Sequence, residues 1–480
     1  MSFVNEFKRN TNMTTTINGA TCYSTTGNAI LDMFGRIGGM RQATSAEIIQ
    51  LYKLARAENV ELADNMVLYC RDIRNGGIGE RRIGRILLRE LVKYDADKVC
   101  RNFDTIVNAG RWDDLYVFIG TPVEKQMFSF VKTQLTQDVK NMKAGKPISV
   151  LAKWLKSSNT SSDESRKIAR KFYTAWGMTE RLYRKTLSAL RKYLDVVEVK
   201  MSAKDFDKID YSKVPSVAMT TYRHAFGRQD YERFNAFIQS ALEGKRKIHS
   251  GVSYPYELIA PYLNYHSGLD NTLEAQWKQL PDYVKEAHNV ICMSDVSGSM
   301  SGQPMAISIS LGIYFAEHNR GAYKNLMLTF TDKPRLFELN PNDSVYTRVK
   351  QVSRNVGYNT NLDGAFEAIY QMAKKTHESP EALVIISDGE IDSFARRHDV
   401  NSIVEKWQLA YEAIGLKAPK LIMWNCNSYG SHYLEKAQNE NIAYISGASA
   451  STFKELTTLI TMNAVEAMIQ ILTKPAFCWK

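Results

Sequence analysis

The sequence predicts a protein in two parts: an all-helical first part and a doubly wound, mostly parallel α/β second part. Residues from about 25 to 284 show helical periodicity with brief turns and little strand-like alternation. Residues 285–480 alternate short apolar runs with longer helical stretches, which is typical of a parallel sheet covered by helices. The length of 480 residues exceeds one typical domain and agrees with this division.

The helical part follows a start rich in Thr, Asn and Ser, residues 1–24, which we expect to be flexible or loosely docked. The stretch Thr44-Ser-Ala-Glu47 has the form of a capping box and predicts a helix through Arg56. Short helices are also predicted over residues 62–74, 79–94 and 99–109. Short helices joined by brief turns indicate stacked, HEAT-like pairs that form a ring or a solenoid.

The α/β part is predicted from strand-like and helical runs that alternate beyond Pro281 and the polar residues up to His288. Strands are predicted at residues 289–294, 325–330, 382–387, 420–426 and 442–446, with a possible edge strand at 335–339. Helices are predicted at residues 304–318, 362–375, 400–415 and 451–472. In open sheets of this kind, ligands bind at the carboxyl ends of the strands.

Oxygen-bearing side chains occur where these strands end. An apolar run leads into Asp295, Ser297 and Ser299, Thr360 precedes a helix, and Asp388 ends another strand. Hard oxygen ligands suit Mg²⁺ or another divalent cation such as Mn²⁺. The alternative is a helix-capping loop, since Asp and Ser are common N-cap residues. Thr360 and Asp388 are correctly placed within the alternating pattern of strands and helices, next to a helix start and a strand end, and this favours the metal site.

The same residues resemble the metal-ion-dependent adhesion site (MIDAS) of von Willebrand factor A domains, a Rossmann-like fold. The resemblance rests on Asp295-x-Ser297-x-Ser299, then Thr360, then Asp388, in that order. It implies that the first four residues touch the metal or its waters and that Asp388 completes the set, usually through water. It also implies an open coordination position for an acidic group from a protein partner.

The net charge of +11 lies in the first part of the chain. Residues 1–290 hold 44 Lys and Arg against 32 Asp and Glu, whereas residues 291–480 hold 18 against 19. A basic field confined to one part is typical of a protein that binds nucleic acid. The alternative is a net charge that only keeps the protein soluble. Such a charge would not need to be confined to one part of the chain.

The basic residues are densest over residues 141–200, which carry 14 Lys and Arg against 5 Asp and Glu. Tyr173, Trp176, Tyr183 and Tyr193 are interleaved with them, and flat rings beside cations suit a single-stranded nucleic acid. The alternative is that the basic faces are merely solvated and the aromatic rings belong to the core. The candidate RNA-binding residues in this region are Lys153, Lys156, Arg166, Lys167, Arg170, Lys171, Arg181, Arg184, Lys185, Arg191 and Lys192.

A second cationic cluster surrounds the glycine-rich stretch Asn75-Gly-Gly-Ile-Gly79. It includes the candidate RNA-binding residues Arg74, Arg81 and Arg82, together with Arg71 and Arg85. The composition suits phosphate, but the glycine spacing is not that of a P-loop. Nearby, Gly110-Arg-Trp-Asp-Asp114 places an arginine beside two carboxylates and is equally compatible with an internal ion-pair corner.

A basic helical part followed by a von Willebrand A domain resembles the TROVE-module proteins, the family of the Ro autoantigen and its bacterial relatives. The stretches 71–81, 110–114 and Ala152-Lys-Trp-Leu-Lys156 are similar to an uncharacterised branch of that architecture in phages and plants. The family implies a helical ring that binds small structured non-coding RNA on its basic outside and single-stranded RNA ends in its hole.

Other classes are disfavoured by what the sequence lacks. It has no apolar run long enough to span a membrane, no secretory signal pattern and no paired cysteines, so we expect a cytoplasmic protein. No zinc motif occurs, and we expect no enzyme activity. Two alternatives to RNA binding remain: a metal-dependent protein-interaction scaffold with no RNA ligand, and a metal-dependent nuclease.

Overall fold

The computed structural model contains a helical first part and a six-stranded, mostly parallel mixed sheet in the second, which confirms the predicted combination of α and α/β structure. It describes residues 12–16, 19, 21–251, 253–284, 286, 288–331, 334–354, 356–357, 360–390, 403–428 and 432–480. The expectation for residues 1–11 and the predicted start of a helix at residue 400 lie outside these residues.

Short helices make up the first part, as the sequence predicts. The predicted capping box at Thr44 is present, because its side chain and that of Glu47 bond each other's backbone N–H groups. The helices before the sheet are α1 (Ala29–Arg36), α2 (Ser45–Glu58), α3 (Val60–Arg71), α4 (Arg81–Leu91), α5 (Ala96–Arg101), α6 (Phe103–Ala109), α7 (Glu124–Lys143), α8 (Leu151–Trp154), α9 (Asp163–Ala175), α10 (Glu180–Tyr193), α11 (Val197–Ser202), α12 (Ser216–Gln229), α13 (Tyr231–Leu242), α14 (Pro255–Ile259) and α15 (Asn271–Lys278).

A short antiparallel hairpin, β1 (Met13–Thr15) and β2 (Thr21–Tyr23), precedes these helices and was not predicted. The N–H of Tyr23 donates to the carbonyl of Tyr433 at 2.8 Å, and the N–H of Tyr433 donates back at 2.9 Å. The described residues of the N-terminal segment are therefore held against the α/β part by backbone hydrogen bonds.

The sheet has the order β5-β4-β3-β6-β7-β8, and only its edge strand β5 is antiparallel to its neighbour among the described strands. Every predicted strand is confirmed, the edge strand included: β3 (Val290–Asp295), β4 (Leu326–Phe330), β5 (Arg335–Glu338), β6 (Ala382–Ser387), β7 (Lys420–Asn425) and β8 (Ile442–Ser446). Successive strands are added to one side of β3 and then to the other. The strand order therefore reverses between β3 and β6, where open sheets bind ligands.

The helices of the second part are α16 (Gln303–His318), α17 (Val345–Ser353), α18 (Leu362–Thr376), α19 (Ile403–Glu412), α20 (Leu456–Thr461) and α21 (Ala464–Leu472). Helix α17 was not predicted from the sequence, and the single helix predicted over 451–472 is a 3₁₀ helix followed by two α-helices. Helix α17 depends on a distant residue, because the Glu274 carboxylate accepts from the N–H groups of Val345 at 2.8 Å and Tyr346 at 3.0 Å.

The helical part and the sheet share a core. Helix α16 packs on β3 and β6 and is covered by α14, so its residues from Met305 to Ala316 are all buried. At the other end of the sheet α1 packs on β8, where Ser446 Oγ donates to the carbonyl of Phe34 at 2.7 Å. A second, smaller core lies under residues 197–248. The predicted division at residues 24 and 284 stays a prediction.

Among the described residues, no helix combines the length and apolar character needed to cross a membrane.

Candidate metal centre and cationic cleft

Asp295 lies at the centre of the candidate metal site, at the end of the middle strand β3, and is fully buried. Its Oδ1 accepts from the N–H of Ser297 at 2.9 Å, and its Oδ2 accepts from Ser387 Oγ at 2.7 Å. Burial, together with the nearby Asp388 carboxylate, raises the pKa of Asp295 to about 7. The carboxyl group is therefore fixed in position but disfavoured as an anion.

Asp388 follows β6, the strand next to β3, and is 3% exposed. Its Oδ1 accepts from the N–H of Glu390 at 3.0 Å, whereas its Oδ2 is buried and has no hydrogen-bond partner among the described residues. Burial raises its pKa, and a hydrogen bond from Ser299 opposes this rise. The Oγ atoms of Ser297 and Ser299 are 3.1 Å apart. The contacts thus connect four of the five predicted ligands.

Thr360, the fifth predicted ligand, is 1% exposed and lies on a loop that contacts the β3 loop. The N–H of Gly357 donates to the carbonyl of Val296 at 3.3 Å, and the N–H of Asn361 donates to the carbonyl of Thr331 at 3.2 Å. These bonds hold the loop beside the ends of β3 and β4.

A divalent cation fits these residues. Two buried carboxylates without a cationic partner among the described residues, an orphaned carboxylate oxygen and three hydroxyl groups form a hard oxygen donor set. No group of three or more His, Cys, Asp or Glu side chains suited to a metal occurs in the described ranges. This site differs from such groups because three of its five residues would contribute hydroxyl oxygens.

Ser387 was not singled out from the sequence, although it orients Asp295. Its hydroxyl donates to Asp295 Oδ2 and accepts from the N–H of Gly389 at 3.1 Å. Groups that orient metal ligands in this way are often as important as the ligands. The sequence signal that could have identified Ser387 is its position directly before Asp388.

A cleft of about 2150 Å³ lies within the helical part. Residues spread from Arg41 to Gln303 line it, so distant segments of the chain face one space, and Gln303 begins helix α16 beyond the metal loop. Eight cationic side chains and three carboxylates occur among its described lining residues. The cationic residues are Arg41, Arg71, Arg74, Arg81, Arg82, Arg111, Lys153 and Arg191.

An ionic cluster forms part of the cleft wall. Asp114 accepts from Arg71 Nε at 2.8 Å and from Arg85 Nε at 2.7 Å. Asp113 accepts from Arg111 Nη2 at 2.6 Å, and the Arg111 guanidinium lies 3.9 Å from the centre of the Trp154 ring. Of the two interpretations of the stretch 110–114, the contacts therefore support the internal ion-pair corner.

The cluster contains more positive than negative charge, and Arg81 lies in the resulting positive electrostatic field. Burial, followed by the charges of Arg111 and Arg85, lowers the pKa of Arg81. Arg81 and Lys153 make no hydrogen bond or ion pair through their side chains with any described residue. Both are available to a ligand in the cleft.

The predicted RNA-binding residues occupy three different places. Arg74, Arg81, Arg82, Lys153 and Arg191 line the cleft, and Arg181, Arg184 and Lys185 line a neighbouring pocket that shares Arg191. Outside both spaces are Lys156, Arg166, Lys167, Arg170, Lys171 and Lys192. The basic residues that are close together in the sequence are therefore divided among the cleft, the neighbouring pocket and the surface outside both.

Several of these cations are occupied by contacts within the protein. Arg191 donates to the carbonyls of Ala152 and Leu155 and to Ser157 Oγ, at 2.6–2.8 Å. Arg74 and Arg82 also donate to backbone carbonyls. On α9, Asp163 pairs with Arg166 and Lys167, and Lys171 lies 3.4 Å from Glu124. These interactions reduce the number of cations that are free to bind a ligand.

Two of the aromatic residues proposed to stack on bases are part of the core. Trp176 is 5% exposed and donates to the carbonyl of Phe128, and Tyr183 is fully buried and donates to the carbonyl of Lys156. For these two residues the core alternative is correct, because their rings complete the packing between α7, α9 and α10.

Comparisons with known proteins give relatives of undefined function. Residues 148–290 match a domain of unknown function (DUF2828), and residues 289–470 match another (DUF7788). The uncharacterized protein L728 of Acanthamoeba polyphaga mimivirus is 29% identical over 507 aligned positions, covering 96% of this chain and 87% of that protein. Among solved structures, the RO (RSR) protein of Deinococcus radiodurans aligns over 92% of each chain, with 12% identity and a TM-score of 0.36.

Proposed function

We propose that the protein binds single-stranded RNA in the cationic cleft, in the manner of Ro-type proteins, and is not an enzyme. The observation that carries the proposal is the excess of eight cations over three carboxylates around one space, with Arg81 and Lys153 unpaired among the described residues. Polyanions release counterions when such cations neutralise their phosphates, and this release drives binding. A HEAT-like ring for the helical part, a von Willebrand A fold for the sheet and a cytoplasmic location belong to the same proposal.

Aromatic side chains in the cleft support a single strand over a duplex. Tyr254 and Tyr256 line it with ring centres 5.6 Å apart, and Trp154 also lines it. Unstacked bases can pack on such rings, whereas bases in a duplex cannot. The cleft therefore offers partners for both phosphates and bases.

The test is filter binding of a short single-stranded RNA over a series of salt concentrations. The double substitution Arg81→Gln with Lys153→Gln removes two charges from the cleft, and Arg170→Gln with Lys192→Gln removes two from the outer surface. We expect the cleft variant to bind at least about tenfold more weakly and to lose about 0.7 from the salt slope for each lost phosphate contact. Equal affinities of the two variants would refute binding in the cleft.

We further propose that Asp295, Ser297, Ser299, Thr360 and Asp388 hold Mg²⁺ or a similar divalent cation. The orphaned Oδ2 of Asp388 and the elevated pKa of Asp295 support this, because a cation would offset both the lost hydrogen bond and the repulsion. Calorimetric titration with Mg²⁺ and Mn²⁺ should give one site, which Asp295→Ala abolishes. A full response in that variant would contradict the assignment.

The metal site is also the basis of the second candidate function, a scaffold that captures a protein partner through an acidic side chain. Metal-dependent partner capture that Asp295→Ala abolishes, with no RNA binding by the unmodified protein, would favour this function. Loss of RNA in Mg²⁺ that EDTA prevents would instead indicate a nuclease and would contradict the non-enzymatic proposal.

A further inference from the structure

A second pocket, here called the serine–arginine pocket, opens beside the cleft and has a volume of about 550 Å³. One wall is helix α10, and the other is the loop 157–159 that follows α8. Four lining residues, Ser157, Asn159, Ser188 and Arg191, also line the cleft. A chain lying in the cleft can therefore extend into this pocket without leaving the protein surface.

The pocket is lined by positive charge alone. Arg181, Arg184 and Lys185 project from α10 at positions three and four residues apart, which places them on one face of the helix. None of the three forms an ion pair or a side-chain hydrogen bond with a described residue. No carboxylate occurs among the described residues that line the pocket. A bound anion would thus meet three cations that no described residue neutralises.

The opposite wall contains an unsatisfied hydroxyl. Ser158 is 9% exposed and lines the pocket, yet its Oγ has no hydrogen-bond partner among the described residues. Leaving a buried polar group unpaired is unfavourable, so such a group is usually explained by a partner. Arg191 fixes the loop that carries it, because its guanidinium donates to the Ser157 hydroxyl at 2.7 Å. The hydroxyl is therefore held in place rather than free to turn to solvent.

We infer that the serine–arginine pocket binds a phosphate monoester, such as the terminal phosphate of the RNA strand that occupies the cleft. A monoester carries nearly two negative charges at neutral pH and has three acceptor oxygens, whereas an internal phosphodiester carries one charge. Three unpaired cations and a hydroxyl donor match the monoester better. The volume also admits a group of about nucleotide size. The RNA-end form of this inference rests on the proposed function, whereas binding of a free phosphate monoester does not.

The experiment compares oligouridines that carry a 5′-phosphate, a 3′-phosphate or hydroxyls at both ends. One phosphorylated form should bind about tenfold more tightly than the hydroxyl form, because its terminal phosphate can accept charge-assisted hydrogen bonds that a hydroxyl end cannot form. This preference should disappear in Arg181→Gln with Arg184→Gln and should decrease in Ser158→Ala. It should remain in the matched control Arg170→Gln with Lys192→Gln, which removes two unpaired exposed cations outside the pocket.

A second arm uses uridine, uridine 5′-monophosphate, uridine 3′-monophosphate and inorganic phosphate as direct probes. Binding of a monophosphate, lost in the Arg181 and Arg184 double variant, supports the pocket even if oligouridine does not bind, in which case only the proposed function fails. Equal affinity for phosphorylated and hydroxyl ligands in both arms would overturn the inference. So would a preference that the double variant retains.

Discussion

The candidate metal centre and the wall of the cleft both bury charge, but they differ in sign and in how the protein supports it. At the metal centre, Asp295 and Asp388 lie at the ends of neighbouring strands without an ion pair to any described residue. Backbone N–H groups and serine hydroxyls orient them but do not neutralise them. The two carboxylates are therefore left for a cation from solution to neutralise, if the proposed metal site is correct.

In the cleft wall, by contrast, most of the buried charge is already compensated. Asp113 and Asp114 are shared by arginines, and burial followed by the charges of Arg111 and Arg85 lowers the pKa of Arg81. We infer from this comparison that neutralisation within the protein stabilises the wall, whereas the cations left without a partner among the described residues can bind a ligand. The predictions below test this distinction.

The largest effect is expected from Asp114→Ala. The substitution leaves Arg71, whose side chain is 3% exposed, without its carboxylate. Breaking a buried ion pair by removing one partner costs about 3–5 kcal/mol, and urea unfolding should record a loss of that size. The control is Asp163→Ala on α9, where both partners are exposed, and its unfolding midpoint should not move. Similar losses in both variants would remove the distinction between the wall and the outer surface.

A smaller effect is expected from pH at the metal centre in the presence of EDTA. The pKa of Asp295 in the folded protein is about 7, above its ordinary value of 3.8, so its contribution to stability is complete below pH 3.8 and is lost as the pH rises through 7. Between pH 5 and pH 8 this contribution should fall by roughly 2–3 kcal/mol. Asp388→Asn should reduce the fall, since it removes the neighbouring charge. An identical pH profile for the variant would show that the two carboxylates are not coupled.

Ser387→Ala tests the support of the metal centre without removing a predicted ligand. The Ser387 hydroxyl donates to Asp295 Oδ2 at 2.7 Å, so its loss should leave that oxygen poorly oriented. We expect Mg²⁺ to bind about tenfold more weakly by calorimetric titration. The matched change Ser301→Ala, at an exposed serine on the same loop that bonds only the Gly298 carbonyl, should leave the affinity unchanged.

The smallest effect is expected for the folding stability of Arg81→Gln. The side chain has no partner among the described residues and lies in a positive field, so its removal should change the free energy of unfolding by less than about 0.5 kcal/mol, in the stabilising direction. A loss of unfolding free energy comparable to that of Asp114→Ala would mean that Arg81 stabilises the ionic cluster and is not available to bind a ligand.

Local patterns in the sequence were sufficient to predict the sheet and to place the candidate metal ligands next to strand ends. Strand ends can be read from short apolar runs, and the residues that follow them meet at one edge because parallel strands end together. The alternation therefore predicted all five main strands, the edge strand at 335–339 and the loop positions of Asp295, Thr360 and Asp388. The capping box at Thr44 is similarly local, since its two side chains are three residues apart.

Helix α17, the docking of α1 on β8 and the division of the basic residues were decided by the tertiary structure. The first helical turn of α17 is capped by Glu274, about seventy residues earlier. Periodicity shows that a helix has an apolar face but not which surface will cover it. Similarly, charge density over 141–200 could not show that Arg191 is bound by carbonyls, that Trp176 is buried, or that Arg81 and Lys153 face one cleft. The sequence determined which residue types the two sites contain, whereas long-range packing determined which of them are satisfied within the protein and which are left to bind something else.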